Sequence, residues 1–110
     1  MQMDIGLMQE SARQASRLLA AMANDKRLLI LCRLVDGECS VGELAELIGT
    51  RQSTVSQHLA ILKRDGFVDS KRDGQTQLYA LSGDEARRVL EALYGLYCGP
   101  AKGSTGVRAR

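Results

Sequence analysis

The stretch that decides the fold is TRQSTVSQHLAILKRDG, at residues 50–66. At helical spacing Val55, Leu59 and Leu62 form a narrow apolar stripe. The N-terminal half of the same stretch carries short polar side chains: Gln52, Ser53, Thr54, Ser56, Gln57 and His58. Amide and hydroxyl groups pair with base edges, and a helix N-terminus binds phosphate oxygens. The pattern predicts a DNA-reading helix, called the reading helix below; the alternative is an ordinary surface helix.

The composition bounds the class of protein. A chain of 110 residues with 45% apolar and 4% aromatic side chains predicts one domain with a modest aliphatic core. Such a core is marginal for a lone chain, so we expect a homodimer. The net charge of +2 does not by itself indicate nucleic acid, but the distribution of charge does. Basic side chains lie within and just after the reading helix: Arg51, Lys63, Arg64, Lys71 and Arg72.

The two ends of the chain look different from its middle. Residues 1–9 are predicted to be flexible, residues 10–98 to form the DNA-binding and dimerisation domain, and residues 99–110 to form a flexible basic tail. The N-terminus carries Asp4 and Glu10 without a basic lead to an apolar run, and no segment approaches the roughly 18 apolar residues of a membrane span. We therefore expect a cytoplasmic protein.

Three helices are predicted before the reading helix. The first covers residues 10–23 and is amphipathic, and the second contains LLILCRLV, which is apolar nearly all round and so belongs in the core. Asn24 or Asp25 can cap the second helix. Ser40 and Glu43 form a capping-box pattern that opens the third, which ends at Gly49. With Thr50 as the predicted cap of the reading helix, the last two form a helix-turn-helix.

A hairpin and a final helix are predicted after the reading helix. Asp73-Gly74 between two short extended runs is a strong hairpin signal. Lys71 and Arg72 lie near its tip, where they can reach phosphates or the minor groove; a solvated turn is the alternative. Ser82 and Glu85 repeat the capping-box pattern before a helix at residues 84–98. This helix is so apolar that pairing with a second subunit explains it best.

The chain resembles a known family over about residues 10–98. SVGELAELIGTRQSTVSQHLAILKRDGFV, with the hairpin and the closing helix, is similar to the ArsR/SmtB family of small winged-helix repressors. The resemblance implies a mainly α fold with the order helix, helix, helix, helix, a two-stranded β wing and helix. It also implies a homodimer whose two reading helices lie about 34 Å apart on an inverted repeat of operator DNA. Repressors of this family leave the operator when an inducer binds.

The metal-binding sites of that family have no match here. The cadmium-type motif resembles ELCVCDL, whereas the aligned residues read ECSVGEL from Glu38 to Leu44, so Ser40 and Gly42 stand at the thiolate positions. The zinc type places imidazole on the last helix, but the single histidine, His58, lies in the reading helix. We therefore expect neither a metal nor another cofactor.

Two cysteines carry a second resemblance within the family. The contexts of Cys32 and Cys98, LLILCRLVDGE and LEALYGLYC, resemble the dithiol, persulfide-responsive branch of BigR, SqrR and HlyU. The resemblance implies that these two thiols are the switch and that reactive sulfur species are the inducer. A thiolate attacks a sulfane sulfur, and the second cysteine resolves the persulfide into a disulfide or a longer sulfur bridge.

Other roles for the thiols stay open. Each cysteine alone can be ordinary core packing. Cys39 is an additional thiol that we interpret as a bystander, but Cys32, Cys39 and Cys98 together could bind arsenite or a similar soft ion. A thiol enzyme or sulfur carrier is a remote alternative, because the sole histidine lies in the reading helix and the sequence has no phosphate-binding loop.

Overall fold

The computed structural model describes residues 1–99, and in this part of the chain five helices surround a small antiparallel sheet. The strand order is β1-β3-β2. The predicted winged helix-turn-helix fold is confirmed, while residues 100–110 of the predicted basic tail lie outside the described residues. The elements in chain order are α1 (Ile5–Met22), α2 (Asp25–Leu34), β1 (Cys39–Ser40), α3 (Val41–Ile48), α4 (Gln52–Arg64), β2 (Val68–Asp73), β3 (Thr76–Leu81) and α5 (Asp84–Tyr97).

The core is aliphatic and draws on every helix. Helix α2 is central, as its apolar sequence predicts, because three of its side chains are almost fully buried. The predicted stripe of α4, the reading helix, is buried against it. Burial of an aliphatic side chain contributes about 1.5–3 kcal/mol, so this stripe holds α4 firmly on the core. The fully buried side chains of these two helices are Ile30, Leu31, Leu34, Val55, Leu59 and Leu62.

The local end signals of α2 and α3 are confirmed. The Asn24 side chain accepts a hydrogen bond from the backbone N–H of Arg27 at 3.0 Å and caps α2. At the start of α3, the N–H of Glu43 donates to Ser40 Oγ at 3.1 Å while the N–H of Ser40 donates to Glu43 Oε1 at 3.1 Å. This reciprocal pair is the predicted capping box. Helix α3 ends at Gly49, whose φ of 78° is accessible to glycine without strain.

The N-terminal boundary differs from the prediction. Helix α1 begins at Ile5 instead of about residue 10, so the segment predicted to be flexible contributes most of its residues to a helix. Asp4 caps this helix by accepting a hydrogen bond from the N–H of Leu7 at 3.2 Å. The predicted start of α1 was wrong because it was inferred from amphipathic spacing, which identifies a helix by its buried face. The apolar side chains at the start of α1 are exposed on the protomer, so they do not mark a buried face there.

Two predicted helix caps are also wrong. Thr50 does not cap α4: its N–H donates to the carbonyl of Ala45 at 3.1 Å, which completes the end of α3, and the cap position of α4 is Arg51. Ser82 does not cap α5, since its hydroxyl donates to Asp69 Oδ2 on β2 at 2.7 Å and the cap position is Gly83. For Ser82 a competing partner takes the hydroxyl that was expected to cap the following helix. Thr50 instead belongs to the end of α3, and α4 begins one residue later than predicted.

The sheet has one strand more than predicted. Strand β1 pairs with β3 through Cys39 opposite Tyr79 and Ser40 opposite Leu78, so the base of the wing has three strands. Beyond this point the wing is the predicted two-stranded hairpin of β2 and β3. A strand of two residues has no detectable periodicity, and only its pairing partner defines it. Strand β2 lies at the outer edge of the sheet, and its exposed side chains are charged: Asp69, Lys71, Arg72 and Asp73.

Candidate DNA-binding surface and thiol pair

The reading helix presents a polar face opposite its buried stripe. Most of the side chains predicted to contact DNA are exposed on or beside this face: Arg51, Gln52, Ser53, Ser56, Gln57 and Lys63. The apolar stripe fixes the helix on the core, so these side chains project from a rigid support. Exposed amide and hydroxyl groups on such a helix can pair with base edges in the major groove. The arrangement places groups that can pair with bases beside cations that can bind phosphates.

The N-terminus of α4 is open. Its cap residue, Arg51, has extended backbone angles of −74° and 149°, and within the described chain no side chain accepts a hydrogen bond from the first turn. The first N–H groups of a helix lack internal acceptors and carry a partial positive charge. A DNA phosphate could therefore serve as the cap that Thr50 was expected to supply.

Two members of the predicted DNA-contacting set lie deeper than the others. Thr54 and His58 are half-buried, and His58 Nδ1 is an enclosed atom with no hydrogen-bond partner among the described residues. Burial lowers the pKa of His58, and the nearby positive charges of Arg27 and Lys26 lower it further. His58 is therefore a half-buried and neutral side chain beside the start of α2.

The wing is tied to the rest of the domain by side-chain contacts that the sequence analysis did not predict. Lys71 Nζ lies 2.9 Å from Glu38 Oε2, and this contact raises the pKa of Lys71. Lys63 Nζ on α4 donates to Ser70 Oγ on β2 at 2.7 Å. Arg72 is exposed close to the turn at the tip. The partners are distant in sequence, so no local pattern could reveal them, yet they align the basic side chains of the wing with the reading helix.

The structure brings two of the three cysteines together. Cys32 is half-buried on α2, and Cys98 is exposed at the C-terminal end of α5; both are free thiols. Burial raises the pKa of Cys32, and negative charge on Cys98 raises it further. This electrostatic effect requires the two sulfur atoms to lie near each other in one protomer. Both effects disfavour the thiolate form of Cys32, while the Cys98 side chain is open to solvent.

An open groove lies beside Cys32 between α2 and α5. Its volume is about 520 Å³, which is enough for a small organic molecule. The lining combines an arginine, two carboxylates and an aromatic ring with apolar side chains: Cys32, Arg33, Val35, Asp36, Leu90, Glu91 and Tyr94. A small molecule therefore has a route to the half-buried thiol of Cys32.

Cys39 occupies a different environment. It is fully buried in β1, and burial is the main reason why its pKa is raised. Over residues 1–99, no group of three or more histidine, cysteine or acidic side chains is arranged to hold a metal ion. The geometry of the protomer thus gives no support to the three-cysteine soft-ion site that the sequence left open. In the same part of the chain no helix has the length and apolarity to cross a membrane.

Together, the open reading helix, its helix-turn-helix support and the basic wing define a winged-helix DNA-binding protein. Comparison with known proteins gives the family. The profile described as "Bacterial regulatory protein, arsR family" matches residues 24–70, and similarity to individual relatives extends over most of the chain. The chain belongs to the ArsR family.

The relatives are regulators of transcription. The transcriptional activator HlyU of Vibrio cholerae is 47% identical over 96 residues, which cover 87% of this chain and 89% of HlyU. The biofilm growth-associated repressor of Agrobacterium fabrum is 41% identical over 93 residues, covering 84% of this chain and 80% of the repressor. Both activators and repressors are thus found among them. The chain is accordingly a DNA-binding transcriptional regulator and not an enzyme.

Solved structures agree with this assignment. The structure of reduced HlyU from Vibrio cholerae has a TM-score of 0.79 at 48% identity and covers 83% of this chain and 96% of HlyU. The transcriptional repressor BigR from Xylella fastidiosa has a TM-score of 0.82 at 36% identity and covers 87% of this chain and 98% of BigR.

Proposed function

We propose that this protein is a transcriptional repressor that leaves its operator when sulfur joins Cys32 to Cys98. The observation that carries the proposal is the proximity of these two thiols, which are distant in sequence, together with the open groove beside Cys32. The relative from Vibrio cholerae was solved in a form named as reduced, which is compatible with a redox role in that protein. A regulator acts where the bacterial chromosome lies, so we place its action in the cytoplasm.

The proposed repressor binds DNA as a homodimer. Large apolar side chains are exposed on the two terminal helices, where a second subunit would cover them. A winged helix-turn-helix domain from Mycobacterium bovis, with 32% identity and a TM-score of 0.70, is described as homodimeric. The exposed side chains concerned are Ile5, Leu7, Met8 and Leu19 on α1, with Tyr94, Leu96 and Tyr97 on α5.

The two reading helices of the dimer would enter successive major grooves of an inverted repeat. The exposed polar side chains of α4 read bases, with Gln57 and Ser56 as the central contacts, and the cations bind phosphates. Lys63 acts from the reading helix, while Lys71 and Arg72 act from the wing. This division assigns sequence preference to α4 and most of the salt dependence to the cations.

The proposed inducer is an organic persulfide, R–S–SH. The Cys98 thiolate attacks the outer sulfur, a new S–S bond forms, and the S–S bond of the donor breaks with release of RS⁻. Cys32 then attacks Sγ of Cys98, which expels HS⁻ and leaves a disulfide. Two thiols are oxidised, and one persulfide is reduced to a thiol and hydrogen sulfide. A second donor molecule gives a trisulfide with release of one further thiol.

The order of attack follows from the surroundings of the two sulfur atoms. Cys98 is exposed, whereas the pKa of Cys32 is raised by burial and by the charge of Cys98. A reduced thiolate fraction slows attack by Cys32, and the exposed Cys98 side chain is accessible to the donor, so we assign the first attack to Cys98. Once Cys98 carries the persulfide in its protonated form, its Sγ is an electrophile that a neighbouring thiolate can attack. Cys32 is therefore assigned the resolving step, and Cys98 the initial attack.

The bridge would change DNA binding through α2. It fastens the end of α5 to a helix whose buried side chains pack against the reading helix. Because α5 also belongs to the proposed dimer contact, the bridge alters the angle between the two reading helices. A small change is enough, since each tenfold loss of affinity corresponds to about 1.4 kcal/mol.

The experiment compares operator binding by reduced protein and by protein treated with glutathione persulfide. Fluorescence anisotropy measures the affinity, and intact mass with peptide mapping locates the sulfur links. Cys32→Ser and Cys98→Ser should bind DNA like the reduced parent protein and lose the response. Cys39→Ser is the matched control and should keep it, because Cys39 is fully buried in β1 and is not open to a donor.

The same set of variants distinguishes the competing soft-ion hypothesis. If Cys39→Ser abolished the response, and arsenite released the parent protein from DNA, the three-cysteine site would replace the dithiol bridge. If the persulfide formed no link between Cys32 and Cys98 in the parent protein, the proposed switch would be wrong, and only the DNA-binding regulator would remain.

A further inference from the structure

A single side-chain hydrogen bond attaches α5 to another helix within residues 1–99. Arg87, which is half-buried, donates from Nη1 to the carbonyl oxygen of Val35 at 2.8 Å. Val35 is the C-terminal cap position of α2, the helix that carries Cys32. The bond therefore connects the helices of the two thiols. The neighbouring Arg88 makes no comparable link, since its contact in the described chain is to Asp84 of its own helix at 3.9 Å.

The chemistry of this bond suits an anchor. The last carbonyl groups of a helix lack internal donors and carry a partial negative charge. A guanidinium donor satisfies such an oxygen and complements its charge. Loss of the donor leaves a half-buried carbonyl without this partner, so the contact is more than incidental surface pairing.

The hydrogen bond of Arg87 is placed on α5 where it can affect the position of Cys98. Arg87, Glu91, Tyr94 and Cys98 are spaced by four, three and four residues and so follow one helical face. Glu91 and Tyr94 line the groove that Cys32 also lines. The fully buried side chains of α5, Ala86 and Leu90, lie in its first half, whereas most of its last turns are exposed. The anchored half thus holds a projecting half.

The length of that projection determines how much the anchor matters. Eleven residues separate Arg87 from Cys98, about 16 Å along a helix axis at 1.5 Å per residue. A rotation of about 10° around the anchored half would move Cys98 by about 3 Å, which is large beside the roughly 7 Å limit between Cα atoms for a disulfide. A small loosening of α5 is therefore sufficient to separate the thiols.

We propose that Arg87 is a positioning residue of the thiol switch, holding α5 so that Cys98 stays within reach of Cys32. This inference rests on the proposed function of the cysteine pair. Arg87 does not touch the sulfur donor. It speeds the second step, in which Cys32 resolves the Cys98 persulfide, and leaves the first step unchanged because Cys98 is exposed to solvent with or without the anchor.

The test uses the full chain as Arg87→Met, Arg87→Lys and the matched control Arg88→Met. Each reduced protein receives a short pulse of glutathione persulfide, and intact mass at successive times gives the rates of persulfidation and of bridge formation. In Arg87→Met the bridge should form about tenfold more slowly at an unchanged persulfidation rate; tenfold corresponds to about 1.4 kcal/mol. Arg88→Met should match the parent protein. Arg87→Lys should recover part of the rate, since an ammonium group can also donate to the carbonyl.

Separate outcomes test this inference and the function on which it rests. If the parent protein forms no bridge, the proposed function fails before Arg87 is considered. If the parent protein bridges and Arg87→Met bridges equally fast, the positioning role is overturned. Equal slowing of both steps, or of Arg88→Met as well, also overturns it, because the effect is then general loosening. Should Arg87→Met not fold, as judged by circular dichroism, Arg87→Lys and Arg87→Gln undergo the same comparison of rates.

Discussion

The ion pair between the wing and the loop before β1 gives a prediction about salt dependence. Lys71 Nζ and Glu38 Oε2 are 2.9 Å apart, but the side chains are 63% and 41% exposed. An ion pair so open to water is weak and easily exchanged. Lys71 can therefore release Glu38 and bind a phosphate when the wing reaches DNA. Removing Lys71 should reduce the salt dependence of binding, whereas removing the charge of Glu38 should strengthen binding.

The size of the effect follows from the number of phosphates contacted. Each neutralised phosphate contributes about 0.9 to the slope of log affinity against log salt concentration. One Lys71 per subunit makes two contacts in the proposed dimer, so Lys71→Ala should lower the slope by about 1.8. Glu38→Gln keeps both contacts and should leave the slope unchanged. It should nevertheless tighten binding at low salt, because a carboxylate that competes with phosphate for Lys71 is gone.

Fluorescence anisotropy at a series of salt concentrations measures these slopes on operator and on scrambled duplexes. Arg88→Ala is the charge-matched control, because Arg88 is an exposed cation on α5, away from the wing, and should leave the slope intact. A parent-like slope for Lys71→Ala would show that the wing does not reach the backbone. Weaker binding by Glu38→Gln would refute the competition, since Glu38 would then support the bound wing.

Two further predictions concern the reading helix. Gln57→Ala should cost about 1–3 kcal/mol on the operator and little on scrambled DNA, as titrations on both duplexes would reveal; equal losses would mean that Gln57 reads no base. The second prediction concerns pH. Because folding lowers the pKa of His58, the unfolded chain binds a proton more readily than the folded chain as the pH falls below the ordinary value of 6.5. The free energy of unfolding should therefore fall in that range, and urea denaturation at about pH 7.5 and about pH 5.5 should show a smaller fall for His58→Gln than for the parent protein. An identical fall in both proteins would contradict this prediction.

Local signals made most of the fold predictable. Three features depend only on residues that are close in sequence: the apolar stripe of α4, the Ser40–Glu43 capping box and the Asp73-Gly74 turn. The local sequence is therefore sufficient to predict each of them. The wrong boundaries have another origin. Ser82 was expected to cap α5, but its hydroxyl binds Asp69, and β1 exists only because β3 lies beside it. Such partners are distant in sequence and become visible only after folding.

Some residues of the candidate site could be identified from the sequence and others could not. The polar side chains of α4 could be identified from spacing alone, although His58 proved to be half-buried beside α2. The pairing of Cys32 with Cys98 could be inferred only from resemblance, because no local pattern links the two. Cys39 differs from them in burial, a property that the sequence around it does not show. No sequence pattern indicated the hydrogen bond of Arg87, since its acceptor is a backbone carbonyl at the end of another helix.

The charged outer edge of β2 has a consequence beyond contact with DNA. An edge strand offers free backbone groups to any other extended chain, and a wing projecting into solvent is especially exposed to such pairing. On β2, charges of both signs at Asp69, Lys71, Arg72 and Asp73 make stacking of wings from separate molecules unfavourable. The same side chains that suit the wing to a polyanion thus help to keep concentrated protein from aggregating edge to edge.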